Sequence, residues 1–206
     1  HMPGHKMGRG FPPELIGNLV GMDVTEIPGT DNLHRPEGVI RKAQLLAAQA
    51  FGAKDTLFLV NGSTCGIHAM IMSTCRSGDK LIVPRNCHKS VWGAMILADV
   101  KPIYVMPEYD IIAQIPTQVS VDTVRDCLDR HPDVKGMVLV HPNYYGMASH
   151  IEEIAHVLKS RDKLLLVDEA HGAHFPFHPK LPKSSKDAGA HMWVQSAHKT
   201  LPAFTQ

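Results

Sequence analysis

Leu164, Leu165, Leu166 and Val167 follow one another without a polar residue, and Asp168 ends the run. A strand with one wet face would alternate; a short strand that is apolar throughout must be covered on both faces. Similar, largely apolar runs recur at 56–60, 80–83, 102–105, 136–140 and 192–194. Helical spacing fills the intervals. Pro36 stands at a favoured first helical position, and Val39, Ile40, Ala43, Leu46, Ala47 and Ala50 then recur until Gly52. A second stretch follows Asn61-Gly62, carries Ile67, Met70 and Ile71, and is expected to close at Gly78. Further helices are expected at 89–98, 120–131 and 150–160, with Ser120 as cap and Val121, Val124, Cys127 and Leu128 as the apolar stripe of the second. The expected fold class is α/β, a mostly parallel sheet with helices on both faces.

A chain of 206 residues with 44% apolar and 20% charged residues fits one globular domain, or one and a half. A net charge of +1 gives no reason to expect nucleic acid or an anionic membrane as partner. No apolar run reaches the roughly 18 residues of a membrane span, and no signal-peptide pattern opens the chain. The cysteines Cys65, Cys75, Cys87 and Cys127 lack C-x-x-C spacing, so they read as reduced, and the expected location is the cytoplasm. Residues 1–35 are set apart by their Gly, Pro and basic content and read either as a surface arm or as a segment folded over a site. Residues 36–206 form the expected main domain, with loops at 107–119 and 175–188.

Asp168 ends a buried strand, where open α/β sheets place their ligands. A carboxylate there needs a partner, or its pKa rises. Capping the next turn is the plain alternative. Further along stands Ser196-Ala197-His198-Lys199-Thr200. A lysine that can form an imine and a carboxylate that keeps a ring nitrogen protonated are the two halves of a pyridoxal 5'-phosphate (PLP) site. Most lysines are solvated, but a shielded site disfavours the ammonium and so favours imine formation. Asn61-Gly62-Ser63-Thr64, between strand and helix, reads either as an anion site or as an ordinary N-cap. His88, in Asn86-Cys87-His88-Lys89-Ser90, reads as a ring to stack on the cofactor or as a helix-start residue facing water. His171 is placed to reach the cofactor's phenolic oxygen. His171, His174 and His178 suggest a metal site, but Gly172, Pro176 and Pro179 keep them off a single helix, and no metal is expected.

Taken in order, His1-Met2-Pro3-Gly4-His5-Lys6, Asn61-Gly62-Ser63-Thr64, Asn86-Cys87-His88-Lys89-Ser90, His141-Pro142-Asn143-Tyr144-Tyr145-Gly146, Asp168-Glu169-Ala170-His171-Gly172 and Ser196-Ala197-His198-Lys199-Thr200 form a pattern. It resembles the major domain of the bacterial ornithine/lysine/arginine decarboxylases, PLP-dependent enzymes of aspartate-aminotransferase fold type I. The resemblance implies Lys199 as the Schiff-base lysine, Asp168 as partner of the pyridine nitrogen and His88 over the ring. It places His171 beside the phenolic oxygen, and Ser63, Thr64, Ser196 and His198 around the phosphate.

It implies decarboxylation of a basic L-amino acid, arginine or lysine ahead of ornithine, by a homodimer or larger homo-oligomer. An aminotransferase or an α-oxoamine synthase is the alternative; the Asp-Glu-Ala-His motif is also similar to that of the latter. The chain begins inside the Pro-Gly-His-Lys motif and stops seven residues after Lys199. Relatives of this kind go on to complete the sheet and add a smaller domain, so a fragment, inactive by itself, is expected. Asp31 is a candidate for the acid that would recognise a basic side chain, and also a typical turn residue.

Overall fold

The computed structural model describes residues 11–22 and 24–204. The Pro-Gly-His-Lys motif lies outside the described residues. Short helices α1 (Pro13–Gly17) and α2 (Leu19–Met22) precede the longer α3 (Val39–Phe51) and α4 (Gly62–Thr74). Strand and helix then alternate through β1 (Lys80–Pro84), α5 (Lys89–Ala98), β2 (Lys101–Val105), β3 (Tyr109–Asp110), β4 (Ile115–Pro116) and α6 (Val121–Arg130). The remainder is β5 (Gly136–Val140), α7 (Ile151–Lys159), β6 (Leu164–Asp168), β7 (Met192–Val194) and α8 (Ala197–Thr200).

The main sheet runs β2-β1-β5-β6-β7 with every pairing parallel. Because successive strand residues face opposite ways, the central strands β1, β5 and β6 each feed two cores. Met137, Leu139, Leu165 and Val167 pack with Val124, Leu128, Ile154 and Leu158 of α6 and α7. Val138, Leu166 and Val194 pack with Ile67, Met70, Ile71, Val91 and Met95 of α4 and α5. The doubly covered sheet expected from residues 164–167 is the one observed. At Gly136, an added Cβ would collide with the Leu164 backbone, which explains the absence of a side chain where β5 and β6 meet most closely.

Ser120 caps α6 by accepting the Thr123 N–H at 3.2 Å. Other boundaries move. Residues 56–60 are not a strand: they pair with no ladder, and Leu57 is 68% exposed. An apolar sequence suits a buried strand, but only a hydrogen-bonded neighbour makes it one. The helix expected from Pro36 starts at Val39 instead, behind Gly38. Asp31 explains the shift, because its carboxylate accepts the N–H groups of Asn32, Glu37, Gly38, Ile40 and Arg41. It caps α3 from a distance, so the chain between them loops out before helix begins. Helix α4 stops at Thr74, and Gly78, at φ +86°, turns the chain toward β1. The 107–119 loop contains the small antiparallel pair β3–β4, and 175–188 contains one 3-10 turn at Phe175–Phe177. Among the described residues of the arm, Phe11 stacks on Phe204, with ring centroids 4.5 Å apart.

Candidate active site

Parallel register places Val140, Asp168 and Val194 side by side at the C-terminal ends of β5, β6 and β7. Asp168 is 5% exposed, and its Oδ1 accepts the Ala170 N–H at 3.1 Å. Burial pushes its carboxyl above the usual range, while the Ala170 N–H and the charges of Lys199 and His88 pull the other way. The turn-capping alternative is therefore also present, through one oxygen only.

Helix α8 starts just beyond β7 and brings Lys199 to the same place. Its Nζ lies 3.0 Å from Nε2 of His171. Burial lowers the pKa of Lys199, opposed by Asp168. His171 is lowered as well, first by burial and then by the charges of Lys199 and His88. Tyr144 meets His171 edge-on at 6.1 Å. A half-buried amine whose ammonium form is disfavoured is a nucleophile at a lower pH than a surface lysine.

His88 caps α5: its Nδ1 accepts the Ser90 N–H at 3.2 Å and lies 2.8 Å from Ser90 Oγ. It is exposed, as a helix-start residue would be, and yet its charge is felt by both Asp168 and His171.

Ser196 precedes α8 and is buried, and among the described residues its Oγ has no hydrogen-bond partner; neither has the buried Oγ1 of Thr200, one turn on. Such hydroxyls are uncommon, because each gives up its hydration without compensation. Helix α4 begins from Asn61 at φ 65° with no side-chain cap, so Ser63 and Thr64 lie inside the first turn rather than capping it. An added Cβ on Gly66 would come within 2.7 Å of Val194 Cγ1, so α4 passes against the end of β7 two residues before Ser196. Two buried hydroxyls without partners among the described residues, near a helix start that lacks a side-chain cap, suit an anion with several oxygens, such as a phosphate. His198 is half-buried on α8, next to Lys199.

Asp31 is taken up elsewhere. The backbone N–H groups of Glu37, Asn32, Gly38 and Arg41 hold its carboxyl well below the usual carboxylate range, as suits a helix cap. Among the described residues, no group of three or more His, Cys, Asp or Glu side chains is arranged to hold a metal ion, and all four cysteines are free. No helix among them is long and apolar enough to cross a membrane.

Two residues of the quoted motifs have roles their positions did not announce. Asn143 pins the loop after β5: its Oδ1 accepts from Tyr145 and Met147, and its Nδ2 donates to the carbonyls of Pro116 and Thr117. The Asn after Pro142 was a turn signal; the reach to β4 was not visible in sequence. Glu169 is fully buried beside Asp168 and is bonded to Ser185 and Gln195.

Known proteins carry the same pattern. The uncharacterized protein YaaO of Bacillus subtilis (strain 168) is 46% identical over 208 residues, which cover 100% of this chain and 43% of that protein. An arginine decarboxylase of Bacillus cereus is 44% identical over 210 residues, 100% of this chain and 46% of its own length. The solved structure of lysine decarboxylase A from Pseudomonas aeruginosa superposes with a TM-score of 0.73 at 28% identity, covering 88% of this chain and 27% of that one. The chain thus spans less than half the length of the relatives it matches. The family described as Orn/Lys/Arg decarboxylase, major domain, matches residues 1–206, and with the doubly covered parallel sheet beneath that match the chain belongs to this family.

Proposed function

We propose that the intact protein removes the α-carboxylate of a basic L-amino acid, arginine or lysine ahead of ornithine, with PLP attached at Lys199. The observation that carries this reading is the 3.0 Å approach of Lys199 Nζ to His171 Nε2 beside the buried Asp168 carboxylate. When bound, PLP supplies a protonated ring that takes up the electron pair of the breaking bond.

The chain's own residues do the rest. Asp168 would hold a proton on the ring nitrogen, which gives its buried carboxylate a directly charged partner beside the Ala170 N–H. Ser63, Thr64, Ser196, His198 and Thr200 hold the phosphate, and their hydroxyls and amides are satisfied by its oxygens. His88 covers one ring face, fixed in orientation by Ser90. His171 holds a proton at the phenolic oxygen. Lys199 would hold the cofactor through its Nζ, whose ammonium form burial disfavours. In this reading residues 36–206 are the PLP-binding large domain, residues 1–35 the arm, and the protein a cytoplasmic homodimer or larger homo-oligomer, as the family resemblance implies.

The test feeds arginine, lysine and ornithine separately to the intact protein with PLP and measures carbon dioxide and amine product. Gas and the matching amine from one of them support the reading. No gas from any, together with amino transfer to a keto acid or condensation with an acyl-CoA, would replace it with an aminotransferase or an α-oxoamine synthase.

A further inference from the structure

Glu169 is 0% exposed, and nothing in the proposed chemistry uses it. Its Oε1 accepts both the backbone N–H and the hydroxyl of Ser185, each at 2.7 Å. Oε2 accepts the side-chain amide of Gln195, also at 2.7 Å. The Glu169 backbone N–H meanwhile donates to the carbonyl of Val194, extending the β6–β7 pairing by one step. One residue therefore grips the end of β6, the end of β7 and the connection that joins them. Asp168 precedes it directly, and Gln195 leads through Ser196 into α8 and Lys199. Gly172 closes the turn over the same side chain, since an added Cβ there would lie 2.7 Å from Glu169 Cγ.

A carboxylate in such a place is costly to bury, and burial pushes its pKa up; the Ser185 and Gln195 donors pull it back. Three short bonds to two oxygens leave the group little freedom, which is what holding a neighbouring site in register requires. We propose that Glu169 is a positioning residue whose carboxylate clamps β6 to β7 and thereby sets where Lys199 stands relative to Asp168. This rests on the functional reading above only in taking those two residues as the site.

The test uses the intact protein in four forms: unaltered, Glu169→Met, Gln195→Leu, and both together. Two quantities are read: the pH midpoint for acylation of Lys199 without PLP, followed by peptide mass, and the dissociation constant for PLP. Each single variant is expected to raise the midpoint toward that of an ordinary lysine and to weaken PLP binding by about tenfold, with the double variant no worse than the more severe single one. Glu169→Gln should stay near the unaltered protein, because the Gln195 amide can rotate to offer its oxygen instead. Unchanged midpoints in folded variants, or effects that add, would overturn the clamp. If Glu169→Met does not fold, Gln195→Leu alone decides, since it cuts only the tie to β7. If the unaltered protein binds no PLP, the functional reading fails while the midpoints still judge the clamp.

Discussion

Lys199 Nζ and His171 Nε2 lie 3.0 Å apart although 28 residues separate them in the chain. One side chain stands on α8, beyond β7; the other is in the turn after β6. Parallel pairing of β6 with β7 delivers both to one end of the sheet. Burial disfavours the charged form of each, and the Lys199 charge lowers His171 further, while Asp168 opposes the effect at Lys199. With Lys199 donating, His171 accepts at Nε2 and carries its proton on Nδ1.

The sign of the pH dependence follows. Because the ammonium form of Lys199 is disfavoured, its acylation midpoint should lie below that of an ordinary lysine, about 10.4. Asp168 is the charge that favours the ammonium, so Asp168→Asn should lower the midpoint further. A midpoint at or above the ordinary value, or an upward move in the variant, would contradict this electrostatic picture.

Ser196→Ala and Thr200→Val should separate stability from binding. Each removes a buried hydroxyl that has no partner among the described residues, so unfolding of the protein without PLP should be unchanged or harder by up to about 1 kcal/mol. PLP affinity should fall by about tenfold for each lost phosphate contact. Denaturant titration and PLP titration of the same samples measure both. Loss of stability with intact affinity would mean that these hydroxyls serve the fold.

Gly172→Ala should destabilise by about 1–3 kcal/mol, through overpacking. The new methyl would meet Glu169 Cγ at 2.7 Å and Pro142 Cδ at 2.9 Å. The denaturant midpoint measures this; an unchanged midpoint would mean that the turn opens freely.

Asp31→Ala should lower the melting temperature, because the first amides of α3 lose their acceptor. Preference among arginine, lysine and ornithine should stay the same. A change in preference with unchanged melting would restore Asp31 as a substrate contact.

These residues also mark how far the sequence could be read. Helix α5 and strands β5 and β7 were legible to the residue, and β6 to within one, because their signals are local: an apolar run, a turn, a break. That Asp168 and Lys199 reach the same end of the sheet was legible because parallel strands end on the same side. Asp31 was not, since its reach to Arg41 spans 10 residues and rules for caps look at adjacent positions. Residues 56–60 misled for the opposite reason: their composition suits a strand, but pairing is a property of neighbours. Glu169 stood in a quoted motif without a role, since its partners are 16 and 26 residues away.

The most direct measurement is the site of PLP attachment. The intact protein is incubated with PLP, reduced with borohydride, digested and mapped by mass spectrometry. The expected result is visible absorption before reduction and a reduced adduct on Lys199 after it, with both lost in Lys199→Ala. An adduct on a different lysine, or one that persists in that variant, would contradict the assignment of this site.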